Sequence, residues 1–110
     1  MTSMNKAIDQ LTITQSKKDN KTIHLVAEGR LGLNESNQLE RQLDRTLLDN
    51  PEKVILNMKK IAFLSSVSIR VILSFYKKVT NKKIIFKIED PSDPVINVLG
   101  MTNLDELLLK

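Results

Sequence analysis

The chain contains no cysteine. That excludes disulfides, thiol nucleophiles and cysteine metal sites. It has one histidine, His24, too few for a histidine-based metal site, and that residue alternates with strand-forming neighbours as a partly exposed structural histidine does. With three glycines in all there is no phosphate-binding loop and no dinucleotide glycine pattern. No GxSxG elbow is present, and no carboxylates cluster near the serines discussed below. Neither catalysis, a cofactor nor a metal is therefore expected. Tryptophan is absent, and Tyr76 with three phenylalanines offers little stacking in the basic part of the chain, so direct nucleic-acid binding is not expected. No apolar run approaches the ~18–20 residues of a membrane span. The opening MTSMNKAIDQ has no signal-peptide core, and the expected location is the cytoplasm, without membrane insertion.

What is present suits a globular α/β domain. The 110 residues are enough for one core and are read as a single domain, 1–110, with residues 1–9 as a frayed lead-in. The net charge of +4 is unevenly spread: residues 1–55 balance, and the excess lies beyond. Between Lys59 and Lys87 there are eight basic residues and no acid. Such a stretch is either a solvated face or a docking surface for an acidic partner.

Periodicity supplies the elements. Leu11–Thr14 and Thr22–Glu28 alternate apolar and polar, and the polar Ser16–Lys21 reads as a hairpin turn. Gly29 is expected to end the second strand. Asn34 or Ser36 can cap a helix to about Leu48, with Leu39, Leu43 and Leu47 on one stripe. Asn50-Pro51 stops it. Lys53–Met58 and Lys83–Ile88 have continuously apolar centres, as strands covered on both faces do. Asp90-Pro91 or Ser92 starts a short helix ended by Gly100, and the Asn103/Glu106 spacing predicts a capping box opening a last helix, Leu104–Leu109. The order is β-β-α-β-α-β-α-α, a mixed four-stranded sheet with the later strands parallel.

The centre of the chain is Phe63–Lys78, FLSSVSIRVILSFYKK. It opens with Ser65 and Ser66 and continues as an almost wholly apolar helix whose polar positions, Ser66, Arg70, Ser74 and Lys77, form one narrow stripe. A serine at a helix start caps an unsatisfied N–H. The alternative is a phosphorylation site, since the helix dipole accommodates the added charge and Arg70 lies one turn on.

Val54–Leu73, VILNMKKIAFLSSVSIRVIL, resembles the central motif of STAS domains, shared by bacterial anti-sigma factor antagonists and sulphate transporter tails. Gly29-Arg30-Leu31 resembles the Gly-x-Leu that ends the family's second strand, and Asp90–Leu108 its closing helices. The resemblance implies the STAS fold and a binding function: an antagonist that binds an anti-sigma factor with serine kinase activity, releases a sigma factor, and is switched off by phosphorylation of Ser66. A phosphatase would restore it. Gly32, Asn34, Asn57, Ser65, Ser66, Val67, Ser68 and Arg70 are the partner-binding residues so implied, and a monomer or weak dimer is expected. Ser68 stands where the family usually has glycine and Val67 where it has a smaller residue; both are expected to crowd the surface a kinase uses. Gly32 and Asn57 stand where aspartate is common. A STAS subunit of an ABC-type lipid transporter, or an unphosphorylated STAS scaffold in a signalling complex, are the alternative roles.

Overall fold

Alternating apolar side chains build β2 (Thr22–Leu31), and β1 (Thr12–Lys17), polar and exposed apart from Ile13, pairs with it. The computed structural model describes residues 11–104 and 108–109. Asp19 organises the hairpin between them, accepting the N–H of Lys21 at 2.7 Å and of Thr22 at 2.9 Å, as turn aspartates do. Helix α1 (Leu33–Thr46) and a 3-10 turn (Leu47–Asp49) lead to β3 (Lys53–Leu64). Helix α2 (Ser66–Asn81), β4 (Ile85–Glu89) and helix α3 (Asp93–Met101) follow. The sheet order is β1-β2-β3-β4. β1 is antiparallel to β2, while β2–β3 and β3–β4 are parallel, as the element order predicts.

One face of the sheet makes the core. Ile23, Leu25 and Ala27 of β2, Val54, Leu56 and Met58 of β3, and Phe86 and Ile88 of β4 are all buried. Alternation puts them on one side. Leu39 and Leu43 of α1, Ile72, Phe75 and Val79 of α2, and Val95 and Leu99 of α3 join the same cluster. Phe75 meets Phe86 edge-to-face with ring centroids 4.9 Å apart, which fixes α2 on β4. On the other face His24, Val26, Ile55 and Asn57 are only partly buried, so the central strands are not covered equally on both sides.

β1 runs on through Ser16 and Lys17, which were expected in the turn, and β4 starts at Ile85 rather than Lys83; four further boundaries differ from the sequence reading. β2 does not stop at Gly29 but passes through it at φ 119°, a left-handed value that favours glycine. β3 does not stop at Met58 but runs to Leu64, with register shifts against β2 between Val26 and Glu28 and between Gly29 and Arg30. Each shift is a bulge, so Ile61 and Leu64, rather than a strict alternation from Met58, return to the core. The cap of α1 is Gly32 rather than Asn34 or Ser36. Glu35 supplies the missing side-chain group by accepting the Gly32 N–H at 3.1 Å, and buried Ser36 turns inward to donate to the Leu33 carbonyl.

The end of α3 is the fourth. It continues through Gly100, and Asn103 at φ 61° closes it. Leu104 N–H reaches the Leu99 carbonyl at 3.0 Å and Asn103 N–H the Gly100 carbonyl at 3.4 Å, the paired bonds of a Schellman ending. Asn103 thus stops α3. Its expected partner Glu106 lies outside the described residues, as do the lead-in and part of the expected Leu104–Leu109 helix.

Candidate functional site

The parallel strands end where the helices begin. Ser65 N–H donates to the Leu31 carbonyl at 2.9 Å, so the end of β2 and the start of α2 are joined directly. Leu31 is also followed at once by the Gly32 cap of α1. The N-termini of α1 and α2 therefore emerge side by side from the carboxyl ends of the two central strands, each with backbone N–H groups that lack helical acceptors.

Three serines divide the work at α2. Ser65 is the N-cap, and its Oγ accepts the Ser68 N–H at 3.2 Å. Ser68 is fully buried and donates its hydroxyl to the Leu31 carbonyl at 3.0 Å. A serine has one O–H, so in the 3.0 Å contact between the two hydroxyls Ser65 is the donor and Ser68 the acceptor. Both protons are committed. Ser66, the first helical residue, is exposed, and its hydroxyl has no partner among the described residues. Arg70, four residues on and hence on the same face, is exposed and has no ion pair among the described residues. Val67 is half-buried beside it.

The expected crowding by Ser68 does not occur: its side chain faces the interior. The reason is local. The third helical position points back under the cap, where the lone pair of the Leu31 carbonyl not used by Ser65 N–H takes a hydroxyl donor. Asn34 is exposed on the first turn of α1, and Gly32 is half-buried beneath it. Asn57 is not gathered with the serines. Its side chain leaves the face of β3 opposite the helices, donating to Glu89 at 2.9 Å and accepting Lys59 N–H at 3.1 Å.

Sequence reading missed two contributors. Phe63, counted there in the lead into the helix, lies on the bulged end of β3 and is 40% exposed. The Arg30 guanidinium sits 4.7 Å from its ring centroid, a cation–π contact that holds both on the rim. Leu33 is 67% exposed at the first turn of α1. The signal for Phe63 was its pairing opposite Arg30, which only the bulge creates.

The open face carries a small polar network. His24 Nε2 lies 2.7 Å from Glu89 Oε1, which also accepts from Asn57. The Asn57 hydrogen bond, then that from His24, holds the Glu89 carboxyl below its ordinary value of 4.5. A depressed carboxyl contributes stability that is present above its unfolded value and lost as pH falls through the folded one. Glu89→Gln should therefore destabilise the protein at neutral pH, with the difference shrinking below pH 4.5. Urea melts of both proteins across that range check this.

The STAS domain family profile matches residues 14–110. The chain belongs to the STAS family. Solved STAS-like folds superpose on it over most of their length: an anti-sigma factor antagonist from Mycobacterium paratuberculosis (TM-score 0.82, 19% identity, covering 91% of this chain and 84% of that one). The unphosphorylated form of the anti-sigma factor antagonist SpoIIAA gives TM-score 0.78 at 14% identity, covering 89% and 86%. Phosphorylated SpoIIAA, described as a Bacillus cell fate determinant, gives 0.72 at 13%, covering 89% of each. No curated protein matches the sequence. At these identities the likeness shows the fold. The serine turn of this STAS domain lies within the matched region, and no helix among the described residues is long and apolar enough to cross a membrane.

Proposed function

We propose that this STAS domain is an anti-sigma factor antagonist. It docks an anti-sigma factor with serine kinase activity on the rim formed by the starts of α1 and α2, and phosphorylation of Ser66 ends that binding. The single observation that carries the reading is the division of labour among the serines. Ser65 and Ser68 are locked in the cap, while Ser66 offers a free hydroxyl at a helix N-terminus. A phosphate there meets the unpaired N–H groups of the first turn, and Arg70 lies one turn away. The fold tolerates the group, and a docked partner meets a new double charge. Exposed Leu33 and Phe63 supply the apolar contact such docking needs. A phosphatase would reverse the modification.

Affinity capture with the intact chain from its native lysate tests the assignment. Recovery of an ATPase-domain serine kinase that binds the purified chain directly supports it. Recovery of an ABC-type ATPase, bound through the same rim, would replace it with the transporter-subunit role.

A further inference from the structure

The later part of the basic stretch, Lys77 to Lys83, lies at the end of the sheet away from the serine rim, where α2 finishes and β3 and β4 start. Lys53 and Ile85, the first residues of β3 and β4, are paired there. Ile85 is 52% exposed, and it lines both of two shallow hollows, of about 400 Å³ and about 440 Å³. Half-buried Tyr76 and Ile84 wall the first together with Lys83. Lys21 and Lys53 stand on the second.

Lys83 is held in a conformation that lysine does not favour. It follows α2 at φ 62°, with its N–H on the Thr80 carbonyl at 3.1 Å and the Ile84 N–H on the Val79 carbonyl at 2.9 Å. Glycine is the usual residue in such a helix-ending turn, because a side chain is strained there. The other described non-glycine residues with positive φ are Asn50, Asp90 and Asn103, types whose short polar side chains bond locally and tolerate it. Lysine gains no such bond. The ammonium groups of Lys53, Lys82 and Lys83 make no ion pair among the described residues. The nearby carboxylates are engaged: Asp19 accepts the N–H groups of Lys21 and Thr22, and Glu52 pairs with Lys21 at 3.3 Å. The charge left over is positive, with an exposed isoleucine in its midst.

We propose that this end of the domain docks an acidic segment of a partner protein. An apolar side chain of the segment lies on Ile85, and its carboxylates meet Lys53 on one side and Lys83 on the other. The contact is made by side chains and involves no strand pairing. Recessed apolar walls between the lysines suit a chain segment, which can enter a hollow; a bilayer surface would meet the lysines and miss Tyr76 and Ile84. The site shares no residue with the serine rim, so it stands whether or not Ser66 is phosphorylated, and both ends can be occupied at once.

Fluorescence anisotropy of the full chain with a labelled peptide of alternating glutamate and leucine tests this. Saturable binding at physiological salt is expected, lost when glutamine replaces glutamate. Lys83→Gly should bind the peptide about fivefold more weakly and yet melt no lower than the parent, since glycine relieves the left-handed turn. That pairing separates a lost contact from a damaged fold. Ile85→Ser, at an exposed position, should also weaken binding about fivefold. Absence of saturable binding, equal binding of the glutamine peptide, or full-strength binding by either variant would overturn the proposal. Preference for phosphatidylglycerol vesicles over the peptide would overturn it too, in favour of a membrane surface.

Discussion

Ser66→Asp should weaken binding of the proposed anti-sigma factor partner by about 100-fold or more, while the free domain melts within a few degrees of the parent. The two halves of this result have separate causes. In the free protein Ser66 is exposed and its hydroxyl makes no hydrogen bond among the described residues, so nothing is lost on substitution. A carboxylate at the first helical position gains ~0.3–1 kcal/mol from the helix dipole. At the interface the same charge must be stripped of water against a surface fitted to a hydroxyl. Like-charge or unpaired placement there costs several kcal/mol, and each ~1.4 kcal/mol is tenfold in affinity. Ser66→Ala, which adds no charge, should retain affinity within a few-fold. Isothermal titration of the three proteins, with thermal melts alongside, separates a docking defect from misfolding.

Ser68→Val should lower stability by about 2–4 kcal/mol, the largest effect expected of any single change in the serine turn. Two terms add. The buried hydroxyl donates to Leu31 and accepts from Ser65; without it the Ser65 proton has no acceptor, a loss of ~1–3 kcal/mol. The branched side chain also adds volume at a position with no solvent exposure, and overpacking typically costs ~1–3 kcal/mol. For a domain of this size that is a fall in Tm of about 10–20 °C. Ser65→Ala removes the cap and the donor to Ser68 Oγ but leaves the Ser68 bond to Leu31 in place, and should cost ~1 kcal/mol. Denaturant titration of both variants checks the ranking. If Ser68→Val were the milder change, Ser68 would not be the joint between β2 and α2.

The strand and helix order could be read from the chain because each element carries its own period: two in Leu11–Thr14 and Thr22–Glu28, near four in Leu39–Leu43–Leu47. What periodicity could not convey was where the period breaks. The bulges that carry β3 from Met58 to Leu64 insert residues into that strand with no glycine or proline of its own to mark them, the one glycine at a shift being Gly29 on β2, so Ile61 through Leu64 read as the approach to a helix. Helix ends failed for a related reason. Gly100 resembles a stop, yet the stop is the left-handed Asn103, and Gly32 caps α1 through the side chain of Glu35 rather than its own. The serine cluster could be found from sequence, but its internal order could not. Which hydroxyl is free depends on the Leu31 carbonyl, more than thirty residues upstream and brought close only by the parallel sheet.

The most direct measurement is the mapped product of a kinase reaction. The purified domain is incubated with ATP and the serine kinase recovered by affinity capture, then digested and sequenced by mass spectrometry. One phosphate is expected, on Ser66, absent in Ser66→Ala and accompanied by loss of partner binding. Phosphate on Ser65, or stable partner binding with Ser66 fully phosphorylated, would contradict it.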